Sequence, residues 1–338
     1  MHQGHYRTKA SWLLGASGVA LLIVLGCRVS WKDVAHALMG FSKPWLIVLM
    51  TLTVLSVSLR SLRFSLLLKP HVSFLQTWRS VCLGYFGSLF LPLGGGEAVK
   101  IAAIRFESGA TLSRVGTALT MDRLFDVCGL LVMLFAVAGW GPHVALRLGP
   151  LLLLAAVATS LIALLIFLLI SGESVKPKLA HWAERHPGRH PWIHRFDEVH
   201  SQAKQLRQPG LFPILIGLQA CIFCVDILGS AIGLAAFPFG RHLPVSAAFR
   251  LALFVMVGFG LPLLPGGFGS HQAASILALA PYGINASQAL AVSLMGETMH
   301  VITLSGLGLL AIHGSGLTPL RLFRGAKVLD SPHPPEAP

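Results

Sequence analysis

The stretch LPLGGGEAVKIAAIRFESGATLSRVGTALTMDRLFD, residues 91–126, interrupts a chain that otherwise reads as apolar helix. It opens on Leu91-Pro92, runs through Gly94, Gly95 and Gly96, and sets Glu97 and Lys100 directly behind the glycines. A second charged set, Asp122, Arg123 and Asp126, begins 25 residues after Glu97. Proline removes a backbone donor and glycine adds backbone freedom, so together they break a helix. Broken backbone at bilayer depth is tolerated only where protein or a watery cavity satisfies it. An ionisable side chain there costs about 2.5–3.5 kcal/mol on insertion scales, which makes it a functional-site hypothesis by default. The spacing of Asp122 and Asp126 puts both on one helical face, one turn apart.

The composition around this stretch is that of a polytopic membrane protein. Of 338 residues, 54% are hydrophobic and only 12% charged, with mean hydropathy +0.72, which excludes the disordered and ordinary soluble classes. The formal charge of +13 does not signal nucleic acid, because the basic residues lie between apolar runs, where the positive-inside rule puts them. The first run lacks a small-residue cleavage site and is expected to stay as a helix. The five cysteines fall in or beside apolar runs. Cys221 and Cys224 form a CxxC inside an expected span and read as polarizable membrane residues rather than a redox pair.

Outward from the break, residues 76–106 are expected to form a re-entrant hairpin with its tip at Gly94–Glu97. Before it lie expected spans at about 11–27 and 45–68, joined by a mildly amphipathic link. Arg60 and Arg63, at the end of the second span, are expected to snorkel to an interface. After it come spans at about 120–140 and 148–170, then a polar segment, 171–209, with seven Lys or Arg and five histidines. His186, His190 and His194 have helical spacing, but Pro187, Gly188 and Pro191 interrupt it, so an interfacial cytoplasmic segment is expected and no metal site. A span at about 210–235 contains Asp226. A short run, 248–264, ends in LPLLPGGFG (261–269), which includes Gly266 and Gly267. A short piece with His271 and Gln272 follows, and the last span, about 289–312, carries Glu297 and His300. The expected organisation is one transmembrane domain, 1–314, and a Pro-rich disordered cytoplasmic tail, 315–338.

The two breaks repeat each other. Each has Leu-Pro, a glycine cluster, and a polar position, Glu97 or Gln272. Each continues with Gly-x-x-x-Ser, Gly109 to Ser113 and Gly283 to Ser287, and enters a span whose acid, Asp122 or Glu297, lies 25 residues after the polar position. Four coincidences in one order point to duplication, with repeats at about 44–140 and 210–314. If both termini are cytoplasmic and both breaks re-entrant, the inside segments hold 18 of the 26 Lys and Arg, and the outside links hold Arg28, Lys32, Lys43, Arg147 and Arg241. The fold expected is all-α: about six full spans plus two re-entrant helical hairpins in an inverted repeat, seven or eight helices by a conventional count. Interrupted segments at corresponding places in two halves point to a transporter's binding site.

These residues resemble the lysylphosphatidylglycerol synthase transmembrane-region family, whose members are also called flippase-like domain proteins. The resemblance rests on LP-x-GGGE-x-x-K, on the DR-x-x-D of Asp122, Arg123 and Asp126, and on LP-x-x-PGGFG, and it extends over nearly the whole chain. The family's usual forms are Gly-Glu-x-x-Arg, Glu-Arg-x-x-Asp and Pro-Gly-Gly-x-Gly followed by an acid. Lys100, Asp122 and Gln272 depart from them, and the arginine expected in the last span is not evident near Glu297. The resemblance implies a module that moves polar lipids between leaflets. The aminoacyltransferase domain that makes the lipid in the best-known members is not found in this sequence, so no enzymatic activity is expected.

The expected function is translocation of a polar or phosphate-bearing lipid in a bacterial inner membrane. The expected substrate-binding residues are Gly95, Gly96, Glu97, Lys100, Asp122, Arg123, Asp126, Gly266, Gly267, Gln272 and Glu297. Lys100, Arg123 and N–H groups near the glycines would attract a phosphate, and the acids would hold those cations or relay protons. The GGGE sequence lacks both the Gly-Lys-Ser/Thr ending of a nucleotide loop and dinucleotide-site spacing. No cofactor, metal or nucleic-acid partner is expected; lipid-biosynthesis enzymes are conceivable partners. The alternatives are a membrane enzyme acting on a lipid phosphate, with His271 or His300 as proton shuttle, and a scaffold for a biosynthetic complex in phospholipid, polyprenyl-glycan or hopanoid synthesis.

Overall fold

The computed structural model describes residues 17–27, 29–68, 70, 72–91, 95–138, 210–260 and 264–315, and every regular element among them is helical. The α-helices are α1 (Ser17–Cys27), α2 (Trp31–Met39), α3 (Trp45–Leu68), α4 (Phe74–Phe90), α5 (Gly95–Ser108), α6 (Leu112–Ala138), α7 (Leu211–Ala235), α8 (Val245–Gly260), α9 (Ser270–Leu279) and α10 (Ala286–Ser315). The expected spans at 45–68, 210–235 and 289–312 coincide with α3, α7 and α10 to within a few residues, α1 covers the described part of the span at 11–27, and α6 starts a full two turns before the span at 120–140. The expected span at 148–170, the segment 171–209 and the tail lie outside the described residues.

Among the described residues three helices are long and apolar enough to cross a membrane: α3, α7 and the Ala286–His313 part of α10. The 27 residues of α6 reach about 40 Å at 1.5 Å per residue, but Asp122, Arg123 and Asp126 set it apart from those three. Hydroxyls along these helices turn back on their own backbone. Thr51, Thr53, Thr298 and Thr303 each donate to the carbonyl four residues earlier, at 2.7–3.0 Å, so they ask for no outside partner.

The chain divides into two compact units. The first comprises Met1–Ser58, Trp78–Ala103 and Cys224–Pro338. It contains both broken stretches, and each folds back as a pair of helices in close backbone contact. Between α4 and α5, a Cβ on Gly84 would lie 2.8 Å from the Lys100 Cβ, and one on Gly96 would lie 2.5 Å from the Gly84 carbonyl oxygen and 2.8 Å from the Ser88 Cβ. Between α8 and α9, a Cβ on Gly258 would lie 3.0 Å from both the Ser270 oxygen and the Ala274 Cβ, and 3.2 Å from the His271 Cα. The two contacts correspond in sequence. Ser88 and Gly258 each stand three residues before Leu-Pro, and Gly96 and His271 each stand one residue before the polar position. Small residues at this seam let two backbones approach without lipid between them.

The second break turns on Gly266 and Gly267, at φ 71° and 81°, left-handed conformations that side chains other than glycine resist. In the same unit, α2 is capped by Ser30, whose Oγ accepts from the Asp33 N–H at 3.3 Å and whose own N–H donates to Ser287 Oγ at 3.1 Å. Val34 of α2 is buried with Phe41, Phe237, Leu251, Leu279 and Leu290, whereas Trp31 and Met39 stay exposed. That is the sidedness of a helix lying at an interface.

The second unit comprises Leu59–Thr77 and Ile104–Phe223. Phe64, Leu68, Val115, Ala118, Leu215 and Ile222 are buried there. Helices α6 and α7 meet at Gly129, where an added Cβ would collide with the Phe223 ring. Gln76 Nε2 donates to the Glu107 carbonyl at 3.0 Å, which ties the base of α4 to the end of α5.

The close approach at Gly96 makes a specific demand. Overpacking a fitted contact costs about 1–3 kcal/mol, so Gly96→Val lowers the thermal midpoint of the detergent-purified protein by several degrees. Gly116→Ala, within α6 and where an added Cβ meets nothing within 4 Å, leaves the midpoint unchanged or raises it slightly, because alanine is the better helix former. Equal midpoints for the two variants would contradict the packing of α4 on α5.

Candidate functional site

The charged residues of the first repeat are divided between the two units. In the first unit, Glu97 and Lys100 face each other in the first turns of α5, with Nζ to Oε2 at 3.6 Å. The Lys100 side chain is 8% exposed and that of Glu97 is 31% exposed. An acid in a first turn also meets the positive end of the helix dipole. Gly95 and Gly96 open the same helix, and a Cβ on Gly95 would collide with Leu91.

In the second unit, Asp122 and Asp126 share one face of α6, as their spacing requires, and that face meets Arg63 of α3. Arg63 is not at an interface: it is completely buried, a correction to the expected snorkelling. Its Nε donates to Asp122 Oδ1 at 2.8 Å, its Nη2 to Asp126 Oδ1 at 2.8 Å, and its Nη1 to Gln219 Oε1. Arg60, one turn earlier, also turns inward and reaches Asp126 Oδ1 at 3.3 Å. Arg123 bonds Asp126 Oδ2 at 3.2 Å from a half-exposed position. The planar guanidinium, with five donors in fixed directions, lets one side chain serve two carboxylates and an amide together. Arg63 was legible as an arginine within an apolar run, and α6 carried two acids in need of counter-charge. Gln219 had no such signal.

In the second repeat, again within the first unit, Gln272 and Glu297 are in contact. Gln272 Nε2 donates to Glu297 Oε2, and Gln272 Oε1 accepts the Gly269 N–H at 2.6 Å. An amide can do both, whereas a glutamate at 272 would set two carboxylates against each other. His271 Nδ1 lies 2.7 Å from Ser293 Oγ and 3.9 Å from Glu297 Oε2. The Phe259 ring rests against His271 and His300, with centroids 4.7 and 5.6 Å away. Gln272, Glu297, His271 and Ser293 are all buried. Ser293 and Glu297 approach the same ring nitrogen, which is not the geometry of a nucleophile triad, where serine and acid use opposite nitrogens. Gly266 and Gly267 lie at the tip ahead of this cluster; a Cβ on Gly267 would sit 2.7 Å from the Phe259 ring.

All five cysteines are free thiols, with Cys221 and Cys224 exposed. No group of three or more His, Cys, Asp or Glu among the described residues is arranged to hold a metal. A family model described as lysylphosphatidylglycerol synthase TM region matches residues 12–308. Comparison with curated proteins and with solved structures gives no match.

Removing Arg63 takes from the buried Asp122 the guanidinium it pairs with and leaves Asp126 to Arg60 and Arg123. Loss of one member of a buried ion cluster costs about 3–5 kcal/mol, so Arg63→Ala is expected to lower the thermal midpoint sharply, and adding Asp122→Asn and Asp126→Asn to recover much of it. Arg60→Ala, at a more exposed pair, falls nearer the ~1 kcal/mol of a surface bridge. Thermal unfolding of the three variants in detergent checks the order; a mild effect of Arg63→Ala would contradict the cluster.

Proposed function

Because the chain belongs to the lysylphosphatidylglycerol synthase transmembrane-region family, a membrane family tied to lipid chemistry, we propose that it is a lipid translocase. Its substrate is a lipid with a polar, phosphate-bearing headgroup. The observation that carries this reading is the pair of glycine-packed helical hairpins in one unit, each with buried polar side chains directly behind its break. Such an arrangement offers a headgroup fixed polar partners at bilayer depth while the acyl or prenyl tails remain in lipid.

In this reading the protein has six full spans and two re-entrant hairpins, and the two repeats are inverted, so that the α4–α5 hairpin enters from the cytoplasm and the α8–α9 hairpin from outside. The distribution of Lys and Arg supports cytoplasmic termini, in the inner membrane of a bacterium. The matching seam contacts at Ser88/Gly96 and Gly258/His271 support the duplication. Lys100 provides the cation for the phosphate, and Glu97 holds Lys100 until the headgroup replaces it. Gly95 and Gly96 leave the first N–H groups of α5 open to an anion. Arg123, half exposed on α6, offers a separate cation, while Asp122 and Asp126 hold Arg63 in place. Gly266, Gly267, Gln272 and Glu297 form the polar side of the second hairpin. The protein performs no covalent chemistry on the lipid, and lipid-synthesising enzymes are its natural partners.

Leaflet exchange of a fluorescent phospholipid and of a polyprenyl phosphate in proteoliposomes tests this. Wild-type protein exchanges at least one of them, and Glu97→Gln and Lys100→Ala each slow it about tenfold or more, the scale of a lost charge-assisted contact. Absence of exchange, or full activity in both variants, would contradict the reading. Formation of a new lipid product would instead favour an enzyme.

A further inference from the structure

We propose that Glu297, together with His271, is a proton-binding site that couples lipid movement to a proton gradient. This rests on the translocase reading above and gives that movement an energy source.

Acidic side chains within the described helices are treated in opposite ways. Asp122 and Asp126 are matched by arginines. Glu297, only 3% exposed, pairs with no Lys or Arg among the described residues. Its Oε2 accepts from Gln272, and its Oε1 is buried with no hydrogen-bond partner. An isolated carboxylate in apolar surroundings is costly, and an oxygen with no donor is where a proton can reside. The groups that face it from the neighbouring elements are few. From α9 come Gln272 and His271. Ser293 and His300 lie one turn before and one turn after it on α10, and α8 contributes the apolar Phe259 ring against both histidines. Part of α1 lies beside Gly269, and residues 17–27 contain no charged residue. Among the described residues the titratable groups at this place are therefore Glu297, His271 and His300.

The step is a transfer of one proton. The Glu297 carboxyl releases it, becoming a carboxylate, and the His271 imidazole takes it at Nδ1, becoming an imidazolium. The 3.9 Å separation of Nδ1 and Oε2 closes to hydrogen-bond length with a small shift, and Ser293 Oγ, then an acceptor, already marks the same nitrogen. The link to transport is Gln272. Its Oε1 holds the Gly269 N–H at the hairpin tip while its Nε2 donates to Glu297. A hydrogen bond to an ionised acceptor is about twice as strong as one to a neutral acceptor. Protonation of Glu297 thus loosens Gln272, and with it the glycine tip, and deprotonation tightens both.

The experiment is lipid exchange by the full chain in proteoliposomes with and without an imposed pH gradient. Wild type is expected to accelerate about tenfold under the gradient. In Glu297→Gln the acceleration is expected to fall below about twofold whatever the rate without a gradient, and His271→Asn is expected to reduce it as well. Wild-type exchange indifferent to the pH gradient, exchange driven by a sodium gradient instead, or full acceleration retained in either folded variant overturns the proposal and leaves the translocase reading standing. If wild type exchanges no lipid at all, the translocase reading fails. The proton site is then decided by infrared titration of the purified protein. A protonated-carboxyl band that titrates in wild type and is missing in Glu297→Gln sustains it, and an identical spectrum overturns it.

Discussion

Water does not reach the hydrocarbon interior of a bilayer, so every N–H, carbonyl and charge that the chain carries there has to be satisfied by the chain itself. The rest of this structure follows from that demand. It explains why every regular element among the described residues is a helix, and why hydroxyls in α3 and α10 bond back to their own helix. It also accounts for the close approach of the helices that flank the two Leu-Pro-Gly breaks, at Gly84, Gly96 and Gly258. A broken backbone needs a protein wall around it, and small residues bring that wall close enough.

The same demand is met for charge in two chemically distinct ways. Around Arg63 it is met by counter-charge: three arginines and two aspartates, with Gln219 taking a remaining guanidinium donor. Breaking such a cluster is expensive while forming it gains little, so its contribution is geometric: it holds α3, α6 and α7 in one register. Around Glu297 it is met only in part: the Gln272 amide donates to one oxygen, the His271 imidazole held by Ser293 stands 3.9 Å away, and the other oxygen has no partner. That set accepts a change in protonation without a change of fold, because neutral donors tolerate either form of the acid. One cluster is suited to holding a bundle together and the other to changing state.

Most of the helical layout was legible because apolar run length and the Leu-Pro-Gly breaks are local signals. The α4–α5 and α8–α9 pairs and the one-face placement of Asp122 and Asp126 follow from spacing. What spacing could not give was the partner across helices. Arg60 and Arg63 sit near the end of an apolar run, and a long flexible side chain there is as compatible with reaching outward as inward; only the acids of α6, nearly 60 residues away in sequence, decide it. The early start of α6 was hidden for a related reason: its first two turns, Leu112 to Thr120, are too polar to register as a span. Gln272 reads as a lost acid in sequence and as a fitted amide in space, since its two ends serve the Gly269 N–H and a carboxylate at once.

The central claim is that the two hairpin tips lie within the membrane and open to opposite sides of it. The direct measurement is labelling by a membrane-impermeant maleimide of single cysteines placed at each tip of a cysteine-free protein, Glu97→Cys, at a side chain 31% exposed, and Phe268→Cys, at a residue 41% exposed. Labelling is read in vesicles of each orientation. The account predicts that position 97 reacts from the cytoplasmic side and position 268 from the opposite side. Reaction of both from the same side, or protection of both from either side, would contradict it.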